Sequence, residues 1–138
     1  MIAVQAQILY PGAASGTALR LEAPISFWGG VDPATSQITQ GGHPQRGLSI
    51  AGTILVIPRL IGSSSSCAIL LELIHAKRAP RALILGHGDA ILPIAAVIAE
   101  QMGWPCPPLF VAQTDAMQTG QSLTITTNGQ IGITEPNP

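Results

Sequence analysis

Charge is what this sequence has least of. Only 9% of its 138 residues are Asp, Glu, Lys or Arg, against about a quarter in an ordinary soluble domain. A small monomer so poor in charge would expose an adhesive surface, so the composition implies a face buried against a larger partner. Aromatics are scarce too, at 4%, while hydrophobic residues as a whole reach 46%. The core must therefore be aliphatic. The net charge is −1, and no basic patch suits a nucleic acid. Lys77, Arg78 and Arg81 cluster around Pro80, as at the end of a helix. Cys67 and Cys106 stand far apart without CxxC spacing, which points to neither a disulfide framework nor a metal site in this chain. Both read as buried thiols of a cytoplasmic protein. No apolar run is long enough to span a bilayer. The opening "MIAVQAQILYPG" has no basic n-region and no cleavage site, so no signal peptide is expected.

What is present has a clear order. "IAVQAQILY" (2–10) alternates like a strand and closes on Pro11-Gly12. "GTALRLEAPISFWGG" (16–30) reads as a second extended stretch ending in a glycine turn. Residues 31–47 are loop-like and carry Asp32 and His43. "GTILVIP" (52–58) is a short continuous apolar run, as in a strand buried on both faces. "SSCAILLELIHAKRA" (65–79) has a serine at the N-cap, good helix formers and a basic last turn, and Pro80 ends it. "RALILGHGD" (81–89) is a second buried strand. "DAILPIAAVIAEQMG" (89–103) is a second helix, with Asp89 as N-cap and Gly103 at its end. "PPLFVAQ" (107–113) is a third strand, and "QSLTITTNGQIGITEP" (121–136) is a hairpin about Asn128-Gly129. These elements predict one α/β domain over 1–138. It has a parallel β-α-β-α-β core with right-handed crossovers and an additional β layer.

That topology gives the run "GSSSS", Gly62 to Ser66, a particular place. It follows the C-terminal end of a buried parallel strand and opens the next helix. Ligands of open α/β folds gather at that edge. A helix N-terminus offers free N–H groups and partial positive charge, and Gly62 permits a sharp turn or close approach of a ligand. Ser63, Ser64, Ser65 and Ser66 add hydroxyls without bulk. Two readings stay open: an anion site, or a simple helix cap that one serine would satisfy. The run is neither a P-loop nor a nucleophile elbow. A hydrolase built from Ser63, His87 and Asp89 is conceivable, but Asp89 is better placed as a cap. His75 suits a helix C-terminus. Phe27 and Trp28 fit an interface or a core, with the interface preferred. Asp32 and His43 fit either binding, as loop residues often do, or hydrogen bonding within the loop.

"PISFWGGVDPATSQI" (24–38), "HPQRGLSIAGTILVIP" (43–58), "GSSSSCAILLELI" (62–74) and "ALILGHGDAILPIAAVIAEQM" (82–102) occur in this order. They closely resemble the swivelling domain, or small subunit, of the aconitase X family, over roughly residues 5–135. The resemblance implies a swivelling β/β/α domain that closes over a large subunit whose own cysteines hold an iron–sulfur cluster. This chain would then bind no cofactor alone. It implies a hydro-lyase active only as the pair, dehydrating cis-3-hydroxy-L-proline to Δ1-pyrroline-2-carboxylate. Mevalonate 5-phosphate is the alternative substrate. It also implies that Ser63, the first serine after Gly62, is the proton-abstracting base, with Gly62, Ser64, Ser65 and Ser66 binding substrate. Aconitases carry a carboxylate-binding arginine where this chain has Ser65, so that role passes to other groups. A non-catalytic swivelling module that regulates or scaffolds a partner is the alternative of another class.

Overall fold

The computed structural model describes residues 2–135. The first strand comes in two halves, β1 (Ile2–Gln5) and β2 (Gln7–Tyr10), separated only by the buried Ala6. Then follow β3 (Ala14–Arg20), the single turn α1 (Phe27–Gly30), β4 (Ile54–Ile57) and α2 (Ser66–His75). The chain continues through β5 (Ala82–Leu85), α3 (Leu92–Met102), β6 (Leu109–Val111), β7 (Ser122–Ile125) and β8 (Gln130–Thr134). The strands lie in the order β1-β8-β7-β3-β4-β5-β6-β2. Because β1 and β2 adjoin in the chain, the two ends of that order meet at Ala6, and the sheet folds back on itself. Pairings from β3 through β6 are parallel; β7, β8, β1 and β2 pair antiparallel.

Side-chain alternation divides the interior in two. Leu55, Ile57, Leu83, Leu85 and Leu109 face α2 and α3, meeting Leu70, Leu73, Leu92, Ala96 and Ala99. Ile54, Val56, Ala82, Ile84 and Phe110 face the other way, onto Leu123, Ile125, Ile131 and Ile133 of the antiparallel layer. β4 and β5 are consequently buried at every position, while β7 and β8 alternate between inside and outside. The expected parallel β-α-β-α-β core with a second β layer is the observed α/β architecture.

Several boundaries differ from the sequence reading. The extended stretch expected over 16–30 leaves the sheet after Arg20. Its remainder is irregular, because Pro24 cannot donate to a ladder and Gly29 turns the chain at φ 79°. α2 ends at His75 rather than near Pro80: Lys77 adopts φ 59°, with Lys77 N–H donating to Ile74 O and Arg78 N–H to Leu73 O. That pair of bonds is a Schellman closure. The strand expected over 2–10 changes partner at Ala6, from β8 to β6. The hairpin at Asn128-Gly129 is formed, with Gly129 at φ +84°; its expected last residue, Pro136, lies outside the described residues. α3 starts at Leu92, later than expected, with Ile91 rather than Asp89 at the N-cap position. Asp89 still serves the helix start, its Oδ2 accepting from the N–H groups of Ile91 and Leu92 at 3.1 and 2.7 Å, and Gly103 closes the helix at φ 74°.

Candidate functional site

β4 delivers the chain to the C-terminal edge of the parallel sheet. Beyond it, Leu60 forms a parallel bridge to Ile25, and Ile61 N–H donates to Ile25 O at 2.7 Å. This pins the segment just before Gly62. The serines then wind tightly into α2: Ser66 N–H donates to Ser63 O and Ala68 N–H to Ser65 O, at 3.0 and 3.1 Å. Ser65 stands at the N-cap position, but its side chain makes no cap bond. Among the described residues, the hydroxyls of Ser63, Ser64 and Ser65 have no protein partner, so simple capping does not account for the run.

Ser66 behaves differently. It is 2% exposed, and its Oγ accepts the Trp28 N–H at 3.2 Å. The expectation that all four serines face a ligand therefore fails for Ser66, whose oxygen ties α2 to the Phe27–Gly30 turn. In that turn Phe27 is fully buried in the core, which corrects its reading as an interface residue, while Trp28 is 58% exposed. An indole this open, on a turn tied through its backbone to the start of α2, is the apolar counterpart an interface core favours.

Gly62 is exposed, has no left-handed φ, and a Cβ there would meet nothing within 4 Å. The sharp turn expected of it is absent; only close approach from outside would demand a glycine. Gly62→Ala should thus unfold at the wild-type temperature or slightly above, since it reduces unfolded-chain entropy. Its activity should fall if substrate or partner passes there. Thermal unfolding beside steady-state kinetics separates the two, and a markedly destabilised variant would refute the open placement.

The loop residues have local duties. Asp32 Oδ1 accepts the Ala34 N–H at 2.9 Å. His43 is buried, with Nδ1 accepting from Gln45 N–H at 3.0 Å and Nε2 facing Ala23 O at 3.2 Å. Both hold the loop together. Asp89 is committed to α3, so it does not orient His87, and His75 stacks on Trp104 with ring centroids 4.4 Å apart.

The cysteines are half-buried rather than fully buried. Burial raises the Cys67 thiol despite its helix N-terminal position, and pushes Cys106 up to about 11. Among the described residues no three His, Cys, Asp or Glu are grouped to hold a metal ion. These thiols therefore do not fit a cluster-ligating set. At pH 8 a thiol titrating near 11 is only about one part in a thousand thiolate. Cys106 should accordingly resist iodoacetamide at pH 8 and react roughly tenfold faster per added pH unit. Mass spectrometry over a pH series checks this; rapid labelling at pH 8 would refute it.

Sequence reasoning missed one feature of this edge. A cavity of about 420 Å³ lies across the ends of β4, β5 and β6, lined in part by Arg59, Gly86, His87, Thr114 and Asp115. A neighbouring cavity of about 520 Å³ shares Arg20, Pro58 and Arg59 with it. The available signal was positional: each of these residues lies within four positions of the C-terminal end of a parallel strand, where such folds bind ligands.

Comparison with known proteins agrees with this geometry. Residues 3–133 match the family described as the aconitase X swivel domain. Cis-3-hydroxy-L-proline dehydratase of Hypocrea jecorina is 38% identical over 119 residues, which are 86% of this chain and 20% of that protein. The Pseudomonas aeruginosa protein of the same name is 42% identical over 68% of this chain and 16% of its own. The chain thus spans a fifth or less of these two relatives. The phosphomevalonate dehydratase small subunit of Thermococcus kodakarensis is 33% identical over 90% of both chains. A crystal structure of Thermococcus kodakaraensis aconitase X, in its holo-form, superposes with a TM-score of 0.88 at 30% identity, covering 98% of this chain and all of that one.

Proposed function

The chain belongs to the aconitase X swivel-domain family, and from that we propose that it is the small subunit of a dehydratase, dehydrating cis-3-hydroxy-L-proline with Ser63 as the base. The observation that carries the proposal is a half-site. Ser63 to Ser65 present hydroxyls that are unbonded among the described residues, past the C-terminal end of β4, and Ser66 ties the same helix start to the turn that carries the exposed Trp28. A large subunit is the partner that would complete it. We assign the iron–sulfur cluster to that subunit; this chain's share of the chemistry is positioning and proton removal.

A serine hydroxyl is a feeble base in water. At the positive end of α2, and in a site from which the partner excludes water, its ionised form is favoured. Ser63 would take the proton from the carbon bearing the carboxylate, while Ser64, Ser65 and the N–H groups of the first turn orient the substrate and stabilise the negative charge that builds as the proton leaves. Identity leans to hydroxyproline only narrowly, at 38 and 42% for the two dehydratases so named against 33 and 39% for two phosphomevalonate dehydratase small subunits of Thermococcus. Mevalonate 5-phosphate is the second reading, supported by the phosphomevalonate dehydratase small subunit of Thermococcus kodakarensis, which aligns over 90% of both chains.

The test is anaerobic co-expression with the large subunit and an assay of both acids, trapping the pyrroline formed from hydroxyproline. Dehydration that requires both chains supports the proposal. Turnover by the large subunit alone would reduce this chain to a regulatory or scaffolding module.

A further inference from the structure

The edge cavity carries charges that neither the serine run nor the core explains. Arg20 is accounted for: its Nη1 donates to the carbonyls of Thr114 and Met117, at 2.8 and 3.1 Å, and so braces the segment that follows β6. Arg59 is exposed and, among the described residues, has no side-chain hydrogen bond or ion pair; it lines both cavities. Asp115 is exposed and lines the cavity of about 420 Å³, as does His87 on the exit of β5. Glu22 belongs to the neighbouring cavity. One hollow therefore holds a free guanidinium and a free carboxylate. At about 420 Å³ it has room for a five-membered ring with its substituents.

We propose that this cavity is a subsite for a zwitterionic α-amino acid, with Arg59 binding its carboxylate and Asp115 its ammonium group. Arg59 suits the first role because its planar fork matches a carboxylate in two parallel bonds. Asp115 suits the second and repels a second anionic group, so a doubly anionic phosphorylated acid is disfavoured. Arg59 lies four residues before Ser63, a chain distance of at most about 14 Å, and the Ile25–Leu60 bridge fixes the segment between them. The inference rests on the proposed reaction for the identity of the amino acid, but it concerns binding alone.

The test is calorimetric titration of the two-subunit complex with L-proline and with tetrahydrofuran-2-carboxylate, whose ring oxygen replaces the charged amine. Wild type should bind L-proline at least tenfold more tightly than the oxygen analogue, and mevalonate 5-phosphate more weakly than L-proline. Arg59→Met should weaken both ring acids about tenfold. Asp115→Asn should weaken L-proline alone and erase the preference. Equal loss of both acids in Asp115→Asn, no loss in either variant, no binding by wild type, or equal affinity for mevalonate 5-phosphate would overturn the subsite. Binding of L-proline that depends on Asp115, without turnover of cis-3-hydroxy-L-proline, would uphold the subsite and refute the reaction.

Discussion

Ser63→Ala in the assembled two-subunit enzyme should lower kcat by about 10²–10⁴-fold, the range for loss of a general base, with little change in KM. The Ser63 side chain has no structural duty in the fold. Its hydroxyl bonds to no protein group among the described residues, and the helix it precedes takes no side-chain cap from the run. Removing it should shift stability by no more than about 0.5 kcal/mol, whereas losing a working cap costs about 1 kcal/mol. Two measurements then separate the roles: kcat and KM for dehydration, and thermal unfolding of the same preparation. A large fall in kcat at unchanged melting temperature identifies the base. Unchanged kcat would move proton removal to the partner and leave this chain a scaffold. Ser66→Ala is the internal contrast. It forfeits the 3.2 Å bond from Trp28 N–H, so it should loosen the Trp28 turn and weaken subunit association before it touches the chemical step.

Much of the architecture was legible because each layer imposes its own pattern. β4 and β5, covered on both faces, read as unbroken apolar runs, while β7 and β8, covered on one, alternate. Asp89 and Gly103 mark the ends of α3 by side-chain and backbone chemistry that is local in sequence. What the residues concealed was non-local. The split of the first strand at Ala6 depends on which strands lie beside it. The end of α2 was set by a left-handed Lys77, a conformation that residue type does not announce. The serine run could be placed at the sheet edge, but its division into three open hydroxyls and one buried tie to Trp28 came only with the fold. So did the burial of Phe27 beside the exposure of Trp28, since neighbouring aromatics look alike until the turn between them is built. Arg59 and Asp115 lie 56 positions apart in the chain, and nothing short of the sheet order brings them to one cavity.

Gly86→Ala should be the most damaging small substitution at the site, lowering stability by about 3 kcal/mol, the upper end for overpacking. Gly86 follows β5 where that strand's exit presses against the exit of β4. A Cβ there would stand 2.4 Å from the Pro58 carbonyl oxygen and 3.0 and 3.1 Å from Pro58 C and Cα. Those are backbone atoms, so no side chain can swing aside. The same residue donates its N–H to Ile57 O at 2.9 Å, and a methyl group would pry that bond open. For a chain of this length the loss corresponds to a fall in Tm of about 10 °C. Gly88, two residues on, is the control: a Cβ there meets nothing within 4 Å and its φ is not left-handed, so Gly88→Ala should melt like wild type. The consequence reaches the site, because Pro58 leads into Arg59 and Gly86 into His87. Separating the two exits would widen the cavity between Arg59 and Asp115, so a folded Gly86→Ala complex should also bind L-proline more weakly. Equal melting temperatures for Gly86→Ala and Gly88→Ala would mean that the two strand exits are not in contact, and the cavity they wall would lose its basis.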